Sequence, residues 1–402
     1  MKNRLISNLW KLYIIRIIRW FLLFMPVIVL FFKENGLTMS EVLLIQSIFS
    51  IGVIVFEIPS GYFGDIIGRK ASIAVGSVLS FIGFLIYSLS NGFWGFLSAE
   101  LILGFGVSFI SGSDSALLYD TLAAIGMEGD YLKIESRMIS IGNFSEGVAG
   151  IIGGFLATIT LRTPLLIETI IIFFAIPLSI TLYEPERIKP DNTDGNFKTI
   201  LKIFRYAICE HQELKLVIIY SGFLGSSTLT MVWFIQPYFG LSGLPLSLFG
   251  LVWAVLQFSV GIFTLYAKKL EKKLGRFRVL ILLCILSFTG YTIVGLFQSL
   301  WAVPFILIFY FVRGIGVPLL REYINSLITS DIRATILSIN SMAVRIVFAI
   351  AGPVIGCLND QLSLPDALLM AGFIFVVPGI LSLWFLNNIV FSKNHKILQK
   401  HI

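Results

Sequence analysis

Charged side chains interrupt long apolar runs at several points of this chain. A charge in such a run needs a partner, water or a function. Glu146 lies about 14 Å along its run at the rise of an α-helix. Desolvation there opposes ionisation of a carboxyl unless a cation lies close, so this group could bind and release a proton as water access changes. Arg313 and Arg345 reach a similar depth and are the deep charges of the second half. They could bind an anionic group or act on Glu146; a fixed ion pair between helices is the plainer alternative. Arg16 and Arg19, three apart, share nearly one helix face. Asp114, within Ser111-Gly112-Ser113-Asp114-Ser115-Ala116, lies like them about 10 Å from one boundary of its run. Asp114 is therefore expected to pair with Arg16 or Arg19, unless both arginines snorkel to the surface. Asp114 is a second candidate proton carrier. Arg16, Arg19, Trp233, Gln236, Arg313 and Arg345 are the candidate contacts for a small molecule. Glu100 and Glu168 sit nearer the opposite boundary.

The elements that carry these residues follow from composition. The chain has 402 residues, of which 57% are hydrophobic and only 13% charged. A soluble protein of that length could not hide so much apolar surface, and runs of about 20 apolar residues are the length of a membrane-spanning helix. Twelve spans fit: 9–32, 40–62, 71–90, 93–118, 137–160, 164–183, 214–239, 247–267, 279–298, 300–320, 334–358 and 364–386. The fold class expected is an all-α membrane protein.

The net charge of +7 describes orientation rather than a nucleic-acid partner. Of the 30 Lys and Arg, Lys33 and Arg162 fall in loops of one side and Arg16, Arg19, Arg313 and Arg345 within spans. The rest lie at the termini or in alternate loops of the other side. By the positive-inside rule both termini are cytoplasmic, which suits a multi-pass protein of the cell membrane. The first apolar run lacks a small-residue cleavage site and reads as an uncleaved helix. Cys209, Cys284 and Cys357 are expected to form no disulfide. His211, His395 and His401 are not placed for a metal site, and no cofactor is implied. No Gly-x-x-x-x-Gly-Lys-Ser/Thr phosphate loop is present.

The one long polar stretch, 184–213, divides the chain nearly in half. The domains expected are a six-helix bundle over 1–183, a linker over 184–213 and a second six-helix bundle over 214–402. Within the linker, 197–208 places Ile200, Leu201, Phe204 and Ile208 at helical spacing beside Lys198, Lys202 and Arg205. That pattern suits a helix lying on the membrane surface.

Between the second and third spans stands Gly61-Tyr62-Phe63-Gly64-Asp65-Ile66-Ile67-Gly68-Arg69-Lys70. Its glycines allow close helix approach. Asp65 can face Arg69 or a helix N-terminus. This Gly-x-x-x-Asp-x-x-Gly-Arg-Lys pattern resembles the signature of the major facilitator superfamily, which occupies the same place. The equivalent loop of the second half, Lys268 to Arg276, repeats the Gly-Arg pair as Gly275-Arg276. Lys272 stands there for Asp65, so its acid is missing unless Glu271 substitutes. Gly104-Phe105-Gly106-Val107 is similarly echoed by Gly314-Ile315-Gly316-Val317. Two halves with weak internal similarity are how many secondary transporters are built.

The resemblance implies two pseudo-symmetric six-helix bundles working by alternating access. Gly61, Asp65, Gly68, Arg69 and Lys70, with Glu57 nearby, would form a conformational gate that latches one half to the other. The fifth span carries Ala149-Gly150-Ile151-Ile152-Gly153-Gly154, similar to the antiporter pattern of that superfamily without its proline; Gly352-Pro353 occurs in the eleventh. The resemblance therefore leans toward the twelve-helix drug–proton antiporter type: proton-coupled export of a small amphipathic compound, by a monomer in the lipid bilayer. Import of a small organic anion is the alternative favoured by the buried arginines. Glu100 stands where the superfamily's fourth helix often carries an arginine, so its proton route does not transfer directly. From other classes, a membrane enzyme would have to use Asp114 and Asp120 beside Tyr119, and a sensor would keep the fold without transport.

Overall fold

The chain folds into α-helices joined by short turns. The computed structural model describes residues 2–185, 201–329 and 332–400. In chain order the helices are α1 Lys2–Trp20, α2 Ile28–Glu34, α3 Met39–Ile66, α4 Arg69–Leu89, α5 Phe93–Ile110 and α6 Ser113–Ile125. There follow α7 Tyr131–Leu156, α8 Thr163–Phe173 and α9 Ala175–Ile180. The remainder comprises α10 Gln212–Leu241, α11 Leu246–Leu274, α12 Arg276–Leu296, α13 Leu307–Ser326, α14 Arg333–Gln361 and α15 Leu364–Lys400. Among the described residues, eleven helical stretches are long and apolar enough to cross a membrane.

The helix ends are written locally. Thr38 and Glu41 form a reciprocal capping box at the start of α3, which satisfies two amides that the helix leaves unpaired. Gly68 (φ 139°) and Gly275 (φ 82°) precede α4 and α12, in a backbone region that other residues avoid.

Four expected spans depart from a continuous helix, the sixth by dividing at Phe174 into α8 and α9. The run expected over 9–32 is two helices, α1 and α2, separated by residues 21–27. Pro26 has no amide hydrogen to continue the ladder. The amide of Leu23 is met instead by the Glu168 carboxylate at 3.0 Å. The fourth run breaks between α5 and α6, where Gly112 adopts φ 78°. The tenth begins as a tight turn over Leu300–Ile306, containing Pro304, before α13. Of the surface helix expected over 197–208, residues 197–200 lie outside the described residues. From 201 to 205 the chain is helical with Leu201 and Phe204 exposed, and a wider turn follows over Tyr206–Glu210.

The chain forms two compact units, Met1–Pro190 with Leu244–Phe258, and Asp191–Gly243 with Ser259–Ile402. In the first, α4 lies along α5 at a seam of small residues. A methyl group added at Gly76 would stand 2.7 Å from the Gly106 carbonyl, and one at Gly83 would stand 2.6 Å from Leu103. Phe31 and Phe32 meet the Phe96 ring edge to face beside this seam, and the Tyr87 ring lies tilted against Phe96. In the second unit, Tyr220, Leu224, Leu283, Val312, Leu319 and Ile324 form the centre of the core. Hydroxyls stitch α10 to α12: Tyr220 donates to the Leu280 carbonyl at 2.7 Å and Tyr291 to the Ser227 carbonyl at 2.6 Å.

Candidate functional site

The break between α5 and α6 places Asp114 in the first turn of α6, where the helix dipole favours an anion. Arg16 and Arg19 reach it from one face of α1. Arg16 stands 3.0 Å and Arg19 3.4 Å from the same carboxylate oxygen. The ion pair expected from sequence therefore forms, with both arginines at once. Glu135 of α7 joins it, 3.6 Å from Arg16 and 2.8 Å from the Ser115 hydroxyl that donates to it. Two cations meet two anions, so the cluster is neutral. Its arginines are engaged within their own unit, which argues against Arg16 and Arg19 as free contacts for an anionic ligand.

At the turn from α3 to α4, Asp65 pairs with Arg69 at 2.8 Å, one helical turn away. The amides of Arg69 and Lys70 donate to the two oxygens of Glu184 at 2.9 and 2.7 Å. That carboxylate thus sits on the positive end of α4. The close approach expected of the glycines falls on Gly64, where an added methyl would stand 3.0 Å from Ser113, and on Gly68, 3.3 Å from the Glu184 carboxyl. Gly61 has nothing within 4 Å of that position; the side chain it lacks leaves room rather than contact. Glu57, two residues before Pro59, is exposed.

Glu146 is 9% exposed on α7. The Gln257 amide, from the part of α11 that belongs to the same unit, donates to it. Around this pair the glycines of α7 form a seam. A methyl at Gly154 would meet the Gly250 Cα at 2.6 Å, one at Gly150 the Trp253 ring at 2.8 Å, and one at Gly147 the Phe258 ring at 2.5 Å. The glycine row of the fifth span is thus filled by backbone and aromatic neighbours. Glu100, another buried acid of this unit, accepts from Gln46 at 2.6 Å and Tyr87 at 3.0 Å.

In the second unit, Arg313 lines a cavity of about 480 Å³ together with Val317, Arg321 and Asn325 of α13 and Val260 and Thr264 of α11. Residues 313, 317, 321 and 325 recur every four positions and form one stripe of α13. The acid at this cavity, Glu322, is paired with Lys268. No described acid pairs with either Arg313 or Arg321. Trp233 and Gln236 are buried on α10, and Arg345 is half-buried on α14. The loop before α12 supplies its own acid. Glu271 accepts from Arg276 at 2.7 Å, and the Arg276 guanidinium lies 4.7 Å from the centre of the Tyr323 ring. Glu271 thus makes with Arg276 an ion pair like the one Asp65 makes with Arg69.

Sequence reasoning did not find Glu184, Glu135 or Arg321, and gave Gln257 and Glu168 no role. Glu135 and Arg321 carried a findable signal, since each shares a helix face with a residue already singled out.

Helices of this length and apolar character define a polytopic membrane protein. The sequence profile of the Major Facilitator Superfamily matches residues 9–352, and the chain belongs to that superfamily; it functions as a secondary transporter, not as an enzyme. Over 368 residues it is 21% identical to YxaM of Bacillus subtilis (strain 168), an uncharacterised transporter of the same type, covering 89% of this chain and 90% of that one. Its fold is similar to that of a bacterial homologue of the human lysosomal transporter Spinster, with a TM-score of 0.76 at 13% identity over 96% of this chain and 98% of the other. It is similar also to the nucleoside transporter NupG, with a TM-score of 0.75 at 13% identity over 96% and 98% of the two chains. At such identities the likeness is one of fold.

Proposed function

We propose that the chain is a proton-coupled transporter in which Glu146 carries the proton. The observation that carries this reading is a carboxyl buried at mid-helix in α7 and bonded to the neutral amide of Gln257. An amide can donate to a carboxylate and accept from a carboxylic acid, so this partner suits both states of a titrating group. In this reading the twelve runs form two six-helix bundles, with the linker between them and both termini in the cytoplasm. Asp65, Arg69, Lys70, Glu57, Gly61 and Gly68 serve as the gate on that side, and the protein works as a monomer in the cell membrane. The substrate is a small amphipathic compound that is exported against protons, with Trp233 and Gln236 among its contacts. The resemblance of the fifth span to antiporters supports export.

Uptake of a small organic anion is a second reading, supported by the cavity of Arg313 and Arg321. Arg345 would add to the same positive field.

The test is Glu146→Gln in proteoliposomes. The variant is expected to keep substrate exchange and to lose uphill transport driven by a pH gradient. Uphill transport at the wild-type rate removes Glu146 from the coupling step. A screen of cationic against anionic compounds in the same vesicles separates the two readings.

A further inference from the structure

Glu168 is the most secluded acid of the first unit, with 0% exposure. It lies on α8, and the proton-carrying role given to Glu146 makes no use of it. One of its oxygens accepts the Leu23 amide at 3.0 Å, in the break between α1 and α2. Its other oxygen is buried without a hydrogen-bond partner. A carboxylate in that position would leave a negative charge half unsolvated, which proteins avoid.

Among the described residues no neighbouring cation relieves it. α8 packs against α1, α4, α7 and α9, and no charged group on them acts on Glu168. Arg16 and Arg19 of α1 are held by Asp114. Tyr87 of α4 donates to Glu100, and Arg69 at the far end of α4 pairs with Asp65. On α7, Glu146 accepts from Gln257 and Glu135 from Ser115. α9 carries no ionisable residue. Arg162, just before α8, donates to the Ser88 and Ser90 carbonyls and to Asn35.

The break itself is tightly held. The Leu23 carbonyl lies where a side chain on Gly153 would stand, 1.7 Å from an added methyl. A secluded acid, a discontinuous helix and a backbone pressed against glycine therefore meet at one point. Discontinuous helices are where several secondary transporters place their coupling ions.

We propose that Glu168 is a second proton-binding site, loaded in this arrangement and unloaded when residues 21–27 rearrange. The proton sits on the carboxyl oxygen that has no partner, and neutralises it there. Because the other oxygen takes the Leu23 amide, the charge on Glu168 and the geometry of the first span are linked. The inference adds to the coupling role of Glu146 and does not need it.

Infrared difference spectra of the full-length protein in lipid vesicles, taken during a pH titration, test this without a known substrate. A band of a buried protonated carboxyl is expected in the wild type and in Glu146→Gln, and is lost in Glu168→Gln. Glu168→Asp should shift that band rather than remove it, which covers the case where the glutamine variant does not fold. Spectra in which both Glu168 variants match the wild type would overturn the proposal. So would a band that responds to replacing choline chloride by sodium chloride, since a metal ion would then be the ligand. In a background without the native cysteines, Phe24→Cys should react with a thiol reagent severalfold faster at high pH than the thiol's own ionisation, measured on a free thiol, accounts for. With Glu168→Gln added, that excess should vanish; if it persists, the link to the break fails. Failure of Glu146→Gln to uncouple transport leaves these readouts untouched, so the two roles stand or fall separately.

Discussion

The two units treat buried charge in opposite ways. In the first, Arg16, Arg19, Asp114 and Glu135 cancel one another across α1, α6 and α7. In the second, Arg313 and Arg321 face a cavity while the acid beside them is taken by Lys268. The turns that carry the superfamily signature are closer in kind. Asp65 meets Arg69 in the first and Glu271 meets Arg276 in the second, so a shifted acid preserves the pairing. The contrast teaches that a charge inside an apolar helix has two different meanings. Where opposite charges converge, the charge is structural, and removing one partner strands the other. Where like charges face open space, no described acid of the protein neutralises the charge.

This contrast can be broken by mutation. The largest effect belongs to Asp114→Ala, which leaves two arginines short of a buried partner and should cost about 3–5 kcal/mol. Thermal unfolding of the purified protein in nanodiscs would read it as a markedly lower midpoint. A further Arg16→Ala should recover part of that loss, because fewer charges are then stranded. Next comes Glu184→Ala. It strips the start of α4 of an acceptor for two amides, and losses of that kind cost about 0.5–2 kcal/mol. Asp65→Asn should cost only about 0–1 kcal/mol, since its carboxyl is 41% exposed and the pair is a surface one. The smallest stability effect is expected of Arg313→Ala, within about 0.5 kcal/mol. The same variant should sharply weaken the binding of an anionic substrate, if uptake of an anion is the right reading. A large fall in the melting midpoint of Arg313→Ala would mean that this arginine is structural after all, and the contrast would fail.

Much of the frame was legible in the residues. Apolar runs of the right length located the helices, and the inward charges of α1 and α6 announced their pairing, because a charge in a membrane must find a partner. Hidden features were of a different kind. Glu184 acts on backbone amides, which carry no sequence signature, and it does so from a position 114 residues beyond the second of them. The break in the first span depends on Pro26 and on a carboxylate 145 residues away. Pro alone does not announce such a break, since membrane helices tolerate it when neighbours satisfy the freed groups. The cavity of Arg313 needed a second helix: the stripe of α13 was readable, but its facing residues on α11 were not.

The carboxylate of Glu184 has a practical consequence. The chain that leaves α9 returns to the opening turn of α4, and Tyr183 just before it is tied to Asn8 through both its amide and its carbonyl. These few residues act as a buckle that fastens the tail of the first half to two of its earlier helices. Anyone dividing the polypeptide into separately produced fragments should therefore cut beyond this buckle. A fragment ending at Leu182 would leave it undone, and one extended through Pro185 would keep it closed.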